Sequence, residues 1–316
     1  MPTRPLPDSV LIEALNLVEE FGSPRFAEIA GATKINVDTL RRRIDSARLR
    51  GLKPTFRKDA PRIYTRTRIG KMHLVIPDTQ CRPGVRLDHL GWIGNYIVEK
   101  KPDVIIHIGD HWDMPSLSSY DKGKLSYEGK RYVNDIKAGK DGMDRLFKPI
   151  HAYNRTAKEK YAPQLEFMTG NHEQRIVRMV DETPGLEGKC DVSDMGIADY
   201  GWTVNPFLKV KKIDGIEYSH YFTSGVMGRP VSSAAALLRE RQCSATMGHV
   251  QNTDIAVHKK TQNIALFAGI CYLHSEDYLG PQGNATRRQI IVKHEVEDGT
   301  YDPMLVSLRF LEKAYA

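Results

Sequence analysis

The sequence repeats one chemical pattern four times: an apolar run ends in side chains that can bind a metal ion. The pattern is clearest at 104–113, where β-branched residues lead to Gly109, Asp110 and Asp113. The polar ends of the other three runs, at 73–80, 165–173 and 244–251, read Asp78-Thr79-Gln80, Gly170-Asn171-His172-Glu173 and Gly248-His249-Val250-Gln251. An apolar run that stops at a turn is typical of a buried parallel strand, and ligands bind at the carboxyl edge of such sheets. The four runs therefore predict one common site.

The segments that carry these runs alternate between two kinds of pattern. We predict strands at 73–77, 104–108 and 165–168, with helices near 87–100, 131–159 and 172–182, which together make an α/β sheet covered by helices. After Trp202 the predicted pieces become shorter. They are a hairpin made of 208–210 and 216–218 around Asp214-Gly215, a helix at 234–238, and strands near 245–247, 263–268, 288–294 and 304–310. These strands are predicted to form a second sheet.

The first 51 residues have apolar residues at helical spacing. The pattern predicts a helix that ends at Gly22-Ser23-Pro24, a second helix from Phe26 to Gly31, and a third that begins after Asn36 as the N-cap and continues to about Arg50. The segment resembles a helix-turn-helix, in which a small residue lets two helices approach and a glycine allows the tight turn. A three-helix bundle that binds other proteins would have the same spacing.

The excess of positive charge lies entirely at the N-terminus. Residues 1–71 hold 15 Lys and Arg against 8 Asp and Glu, whereas the remainder holds 31 of each, so the net charge of +7 belongs to the first part. This asymmetry indicates contact with a polyanion, most plausibly DNA. The predicted contacts lie on or beside the third helix: Lys34, Thr39, Arg41, Arg42 and Arg43. Residues 52–71 are predicted to be a basic linker or the wing of a winged helix, and a solvated basic surface remains the alternative.

The composition excludes several classes of protein. A chain of 316 residues that is 41% hydrophobic and 27% charged has the character of an ordinary globular protein with one or two domains. No apolar segment approaches the roughly 20 residues needed to span a bilayer, and the N-terminus lacks the apolar core of a signal peptide. The four cysteines have no C-x-x-C spacing, which argues against a disulfide framework. We therefore expect a cytoplasmic protein that makes no membrane contact.

Residues 72–316 resemble the calcineurin-like metallophosphoesterase superfamily. The family pattern is D-x-H, G-D-x-x-D, G-N-H-E/D, an isolated His and G-H-x-H. The corresponding residues here are Asp78-Thr79-Gln80, Gly109-Asp110-His111-Trp112-Asp113, Gly170-Asn171-His172-Glu173, His220 and Gly248-His249-Val250-Gln251. The resemblance implies an αββα sandwich that holds two metal ions at the strand ends. The helical pattern at 1–51 predicts a small all-α domain before it.

The resemblance also implies a role for each residue of the motifs. Asp110 would bridge two ions. Asn171, His220 and His249 would complete one site, while Asp78, Gln80 and Gln251 would line the other. His172 would handle protons, and Asp113 and Glu173 would orient the ligands. Arg175 is a candidate contact for substrate phosphate, and His111 would reach the cleft or its rim.

The two glutamines depart from the family pattern, since histidine is usual at both positions. A site made of Asp78, Gln80 and Gln251 should bind its ion more weakly and favour Mn²⁺ or Mg²⁺, whereas the site with Asn171 and two histidines also suits Zn²⁺ or Fe. Two divalent ions about 4 Å apart can activate water and clamp a phosphoryl group.

The sequence leaves three functions open. The first is a metal-dependent phosphodiesterase, or nuclease, that acts on DNA. The second is a phosphatase or nucleotide phosphodiesterase with a small or protein substrate. The third is a DNA-binding regulator whose altered metal site only supports the fold.

Overall fold

Two β-sheets lie face to face, and helices cover their outer faces. The computed structural model describes residues 5–55, 70–276 and 279–316. The helices are α1 (Asp8–Phe21), α2 (Pro24–Ile29), α3 (Val37–Leu49), α4 (Asp88–Lys100), α5 (Tyr132–Thr156), α6 (Arg175–Glu182), α7 (Ala234–Arg241), α8 (Gly280–Asn284) and α9 (Leu308–Tyr315). The strands are β1 (Lys71–Ile76), β2 (Val104–His107), β3 (Gln164–Met168), β4 (Thr203–Asn205), β5 (Lys211–Ile213), β6 (Ile216–Ser219), β7 (Thr223–Ser224), β8 (Arg229–Pro230), β9 (Ala245–Met247), β10 (Thr253–Val257), β11 (Ile264–Ala268), β12 (Gln289–Glu297) and β13 (Thr300–Ser307).

The first sheet has six strands in the order β13-β12-β1-β2-β3-β4, and β1 to β4 run parallel. The second sheet has five strands in the order β10-β11-β9-β6-β5, with β6, β9 and β11 parallel. The carboxyl ends of β1, β2 and β3 therefore meet at one edge of the first sheet. These are the strands that precede Asp78, Asp110 and Asn171.

Successive side chains of a strand point to opposite faces of its sheet, and each face packs against a different layer. Met72, Leu74 and Ile76 point from β1 into a cluster with α4, α5 and α9, whereas Val75 joins a cluster between the two sheets. A third cluster packs Leu237 of α7 against the outer face of the second sheet. Because each strand has apolar residues on both faces, the two sheets are buried between layers of helices. This arrangement agrees with the αββα sandwich expected from the sequence.

The prediction that 288–294 and 304–310 belong to the second sheet is wrong. The first segment is β12, which pairs antiparallel with β1, while β13 forms the outer edge of the first sheet. The physical reason is burial on both faces: residues 289–293 of β12 are all buried, as expected for a strand between two neighbours and two layers. The second sheet gains the unpredicted strand β10 instead, and the first sheet gains β4.

Two strands and one helix also have boundaries that differ from the predicted ones. The strand predicted to reach residue 310 ends at Ser307, whose hydroxyl accepts from the Phe310 amide at 3.2 Å and starts α9. The hairpin turns at Asp214-Gly215 as predicted, but its first strand is β5 rather than 208–210. Both turn residues have positive φ, +46° and +84°, as a two-residue hairpin turn requires. The helix predicted from residue 172 begins at Arg175, because 171–174 form a turn at the site.

The three N-terminal helices have a small core of their own, which includes Leu11, Ala27, Leu40 and Ile44. The Asn36 side chain accepts from the Thr39 amide at 2.9 Å, which confirms the predicted N-cap of α3. The segment after α3 is described only to residue 55, so the predicted linker or wing at 52–71 lies mostly outside the described residues.

The N-terminal helices also pack on the α/β part of the chain. Phe26 of α2 lies against His151, with ring centroids 3.9 Å apart, and against Phe147 at 5.8 Å. The Arg25 guanidinium is paired with Asp144 of α5 and donates to the Tyr200 hydroxyl at 3.1 Å. An aromatic contact combined with a partly buried ion pair fixes the position of α2 on α5.

Candidate metal centre

Glycines bring the loops of the site together. A Cβ placed on Gly170 would lie 2.1 Å from the Asp110 Oδ1 atom, and one on Gly248 would lie 2.5 Å from the Asp78 Oδ1 atom. At Gly109, which has φ of +101°, a Cβ would meet the His220 ring at 2.8 Å. All three distances are shorter than real Cβ contacts. These glycines are therefore required by close approach of the chain, which explains their places in the motifs.

Three side chains of the site project from left-handed backbone. Gln80, Asp110 and His249 have φ of +39°, +50° and +62°. Amide groups of Thr79 and Gln80 donate to the Asp110 carbonyl at 3.2 and 2.9 Å, so the first loop is tied to the second. Left-handed conformations cost free energy in residues other than glycine and are concentrated at functional sites. Here the neighbouring loops hold them in place.

Asp110, His220 and His249 form a cluster whose ligand atoms lie within 4.8 Å of one another. The His220 Nδ1 contacts the Ile108 carbonyl at 2.8 Å, which makes this nitrogen the donor. The lone pair of His220 Nε2 then faces the Asp110 Oδ2 at 3.3 Å. The Asn171 Oδ1 lies 2.9 Å from His220 Nε2 and 2.8 Å from His249 Nδ1. We call Asn171, His220 and His249 the histidine half of the site.

Because the His220 Nε2 faces the Asp110 carboxylate, a cation between them stabilises the contact. In the protein alone that cation is a proton: burial opposes it, but Asp110 outweighs burial and raises the pKa of His220 to about 9. Burial and the charge on His220 lower the pKa of His249 to about 4. A divalent ion would replace the proton and engage all the facing atoms. Two imidazoles with carboxylate and amide oxygens are a donor set that fits several transition ions.

Asp78, Gln80 and Gln251, which the sequence predicts around a second ion, are called the glutamine half; the charge of Asp110 acts on Asp78. Among the residues the structure describes, the Asp78 Oδ2 and Gln80 Oε1 atoms are buried without a hydrogen-bond partner. The Gln251 Oε1 instead accepts from the Tyr272 hydroxyl at 3.2 Å. Burial raises the pKa of Asp78 to about 7, although the charge of His220 opposes the shift. Two orphaned buried oxygens suit a hard divalent ion, which would satisfy both.

Glu173 shapes the site through main-chain amides. Its carboxylate accepts from the amides of Asp110, Trp112 and Gly170 at 3.0, 2.9 and 2.8 Å. These bonds join the loop after β2 to the loop after β3. The position of Glu173 agrees with the predicted role of orienting the ligands.

His172 lies beside Asp110 and is held by Asp113. Its amide donates to the Asp110 Oδ1 at 2.9 Å, and its Nδ1 lies 2.9 Å from the Asp113 Oδ1. The second Asp113 oxygen accepts from Arg82 at 3.1 Å, and Arg82 also donates to Glu276 at 3.0 Å. Arg82 thereby fixes the carboxylate that orients His172. Sequence reasoning did not find Arg82 or Glu276; the only signal was the position of Arg82 just after the first motif.

The side chains of Arg175 and His111 both make polar contacts with other residues of the protein. One Arg175 nitrogen donates to the carbonyls of Asp113 and Met114 at 2.8 and 3.2 Å, and another lies 3.3 Å from the His172 Nε2. The His111 ring is fully buried and contacts the Thr79 hydroxyl at 2.7 Å and the Gly139 carbonyl at 2.9 Å. His111 thus supports the loop of Asp78 from behind.

The residues on or beside α3 that were predicted to contact DNA differ in their exposure and in their partners. Lys34 and Arg42 are exposed, and Thr39 is partly exposed. Arg41 is ion-paired with Asp199 of the α/β part and with Asp38 at 3.2 Å. The Nε atom of Arg43 is buried and has no partner among the described residues. The structure therefore brings Arg41 to an internal interface and leaves Lys34 and Arg42 on the surface.

None of the helices in the described residues is both long enough and apolar enough to cross a membrane.

No protein-family model and no curated protein matches the sequence. Among solved structures, wild-type Vps29 from Entamoeba histolytica complexed with Zn²⁺ shares 12% identity over 75% of this chain and 99% of its own, with a TM-score of 0.36. A conserved uncharacterized protein of Streptococcus pneumoniae, described as a predicted phosphoesterase, shares 9% identity over 74% of this chain and 97% of its own, with a TM-score of 0.29. Similarities this low assign neither a family nor a function, so function has to be argued from the site itself.

Proposed function

We propose that the chain is a metal-dependent hydrolase of phosphoesters and that its substrate is a phosphodiester of DNA. The observation that carries the proposal is the convergence of Asp110, His220 and His249, whose ligand atoms lie within 4.8 Å of one another. The amide oxygen of Asn171 lies between the two histidines. Two imidazoles, a carboxylate and an amide oxygen that converge on one point are a donor set that fits a transition ion.

The residues of both halves fit divalent ions. The histidine half would hold Mn²⁺, Zn²⁺ or Fe, and the glutamine half would hold Mn²⁺ or Mg²⁺, with Asp110 shared between them. Bound there, two ions would polarise a phosphoryl group and lower the pKa of a water nucleophile. The protein holds the ligands through Glu173, which ties the two central loops together.

His172 supplies the proton chemistry. Because Nδ1 contacts Asp113, Nε2 is the nitrogen left for a substrate. It lies 3.7 Å from the Asp110 Oδ2 and 3.3 Å from an Arg175 nitrogen, which a bound substrate oxygen would displace. Burial opposes the charged ring, but Asp110 and the hydrogen bond to Asp113 outweigh burial and raise the pKa of His172. The raised pKa favours the charged ring, which can donate its proton to the leaving oxygen.

The choice of DNA depends on the basic N-terminal part. Of its five predicted contacts, Lys34 and Arg42 are exposed, and we assign phosphate contacts to these two. The pair between Arg41 and Asp199 favours a second candidate, in which the N-terminal helices are a fixed part of a phosphatase that acts on small substrates.

The test of the reaction uses the full chain after removal of metal with a chelator. Mn²⁺ or Mg²⁺ should restore hydrolysis of single-stranded DNA, duplex DNA and a phosphodiester dye. Asp110→Asn should lower kcat/KM at least about a hundredfold, since it removes the charge shared by both halves. Asp302→Asn, on the exposed surface of β13, is the matched control. Full turnover without metal, or in the Asp110 variant, would refute the proposal, and turnover of a phosphomonoester dye alone would favour the second candidate.

The test of DNA binding compares arginines of α3. Arg42→Ala should weaken binding and reduce the slope of log affinity against log salt by about one unit, because one phosphate contact is lost. Arg41→Ala should change the slope less, since Asp199 already occupies that side chain, and Arg309→Ala on α9 serves as a control. Equal slopes for the wild type and the Arg42 variant would remove Arg42 from the interface.

A further inference from the structure

An aromatic pair stands at the rim of the metal centre. Tyr221 directly follows His220, and its ring centroid lies 4.8 Å from that of His249 and 5.8 Å from that of His220. Phe207 meets Tyr221 edge to face, with centroids 5.6 Å apart. Tyr221 thus contacts both histidines of the site, and Phe207 packs against Tyr221.

The pair connects the two sheets at the edge where the metal ligands lie. Phe207 comes two residues after β4, at the edge of the first sheet, and Tyr221 comes two residues after β6 of the second sheet. Both residues lie beyond the carboxyl ends of strands that are parallel to their neighbours. A substrate held at Asp110 would therefore be close to these rings.

The surface around the pair is apolar and partly exposed. Tyr221 and Phe207 are both accessible in part, and Leu208 and Val210 beside Phe207 are each 36% exposed. Tyr221 is followed by the buried Phe222, which anchors its main chain on α7. A ring with a fixed backbone and a partly open surface loses little entropy when a planar ligand stacks on it.

A positive charge lies next to the pair. The exposed Arg178 of α6 donates to the Asn171 carbonyl at 3.3 Å, and its charge also acts on Tyr221. A guanidinium and an aromatic ring beside the proposed phosphoester site suit a nucleic-acid strand, in which each phosphate is flanked by a base. Aromatic rings stack on every base, since each has a π-face.

We propose that Tyr221, supported by Phe207, stacks on the nucleobase next to the phosphodiester held at Asp110. This inference rests on the proposed phosphodiesterase function, and it narrows the substrate to nucleotide esters. A ring that served only to hold His249 in place would affect all phosphodiesters equally, so the two roles can be separated by changing the substrate.

The experiment compares two esters that release the same p-nitrophenolate. One is the p-nitrophenyl ester of thymidine 5′-monophosphate, and the other is methyl p-nitrophenyl phosphate, which has no base. Tyr221→Leu should lower the ratio of kcat/KM for the thymidine ester to that for the methyl ester by roughly 5- to 100-fold, the range expected from the loss of one stacked base. Tyr221→Phe should retain the ratio, because the ring remains. Phe207→Leu should lower the ratio less, and Phe310→Leu, on the exposed surface of α9, should leave it unchanged.

Equilibrium binding provides a second readout. Calorimetry should show that Tyr221→Leu weakens binding of thymidine 5′-monophosphate more than binding of methyl phosphate. An unchanged ratio in both measurements, or equal losses for both ligands, would overturn stacking while leaving the phosphodiesterase proposal intact. Failure of the wild type to hydrolyse either ester would instead overturn the proposed function and stacking with it.

Discussion

The two proposed halves of the metal centre differ in how their polar atoms are satisfied. In the histidine half, His220 Nε2 and His249 Nδ1 both contact the Asn171 Oδ1 within 2.9 Å. In the glutamine half, Asp78 and Gln80 each have one buried oxygen without a partner among the described residues. The polar atoms of the first half contact one another, whereas two buried oxygens of the second half are unpaired among the described residues.

The difference predicts that the two halves bind their ions with unequal affinity. Imidazole nitrogens bind transition ions tightly, while amide oxygens are weak ligands. The histidine half should therefore retain its ion, and the glutamine half should exchange its ion with solvent. We expect the occupancy of the weaker site to depend on the metal concentration and on the presence of substrate.

The largest effect is expected from loss of a histidine ligand. His249→Gln should lower kcat/KM at least about a hundredfold at every Mn²⁺ concentration, because loss of even a group that only orients a ligand costs roughly 10–100-fold in metal affinity or activity. Gln251→Ala should cost less, and more Mn²⁺ should restore its activity. Steady-state kinetics over a range of Mn²⁺ concentrations measures both variants. A larger and irreversible loss in the Gln251 variant would reverse the assignment of the two halves.

The next effect is the dependence of metal affinity on pH. His220, with a pKa of about 9, is protonated at neutral pH in the metal-free protein, so an ion in the histidine half has to displace that proton. Affinity there should rise about tenfold per pH unit from about pH 6 to 8. In the glutamine half, Asp78 has a pKa of about 7, so affinity should rise only up to about that pH. Calorimetry in buffers of different ionisation enthalpy counts the protons released, and equal pH profiles for the two halves would contradict this account.

The smallest effect is expected from placing histidine at the two glutamine positions. Gln80→His combined with Gln251→His should tighten binding in the glutamine half by about tenfold or more and shift its preference towards Zn²⁺, since imidazole replaces amide oxygen. Competition of Mn²⁺ against Zn²⁺, followed by metal analysis, measures the shift. The single variants control for disturbance of the fold. A double variant with unchanged preference would show that the two glutamines do not face the ion.

The sequence was sufficient to predict the convergence of the four motif loops, because apolar runs that stop at a turn and polar side chains are typical of parallel strands with a common edge. It also predicted the N-cap at Asn36 and the turn at Asp214-Gly215, which depend on local chemistry. The placement of β12 was not predictable in the same way. Its run of buried residues suits a central strand of either sheet, and only pairing with β1 decides between them.

Long-range polar contacts were also beyond the sequence. Arg82 and Glu276 both bear on the orientation of His172, yet the fold alone brings them together. The charge count of residues 1–71 correctly showed where the basic residues lie, but it could not show that Arg41 is paired with Asp199. Charge is a property of composition, whereas its availability to a partner depends on packing.

A calorimetric titration of the metal-stripped chain with Mn²⁺ tests directly whether the chain binds two ions with unequal affinity. The unequal halves predict two steps, a tight one that His249→Gln removes and a weaker one that Gln251→Ala removes while the tight step remains. Two steps of equal affinity would contradict the difference between the halves. No binding at all would contradict the metal centre itself.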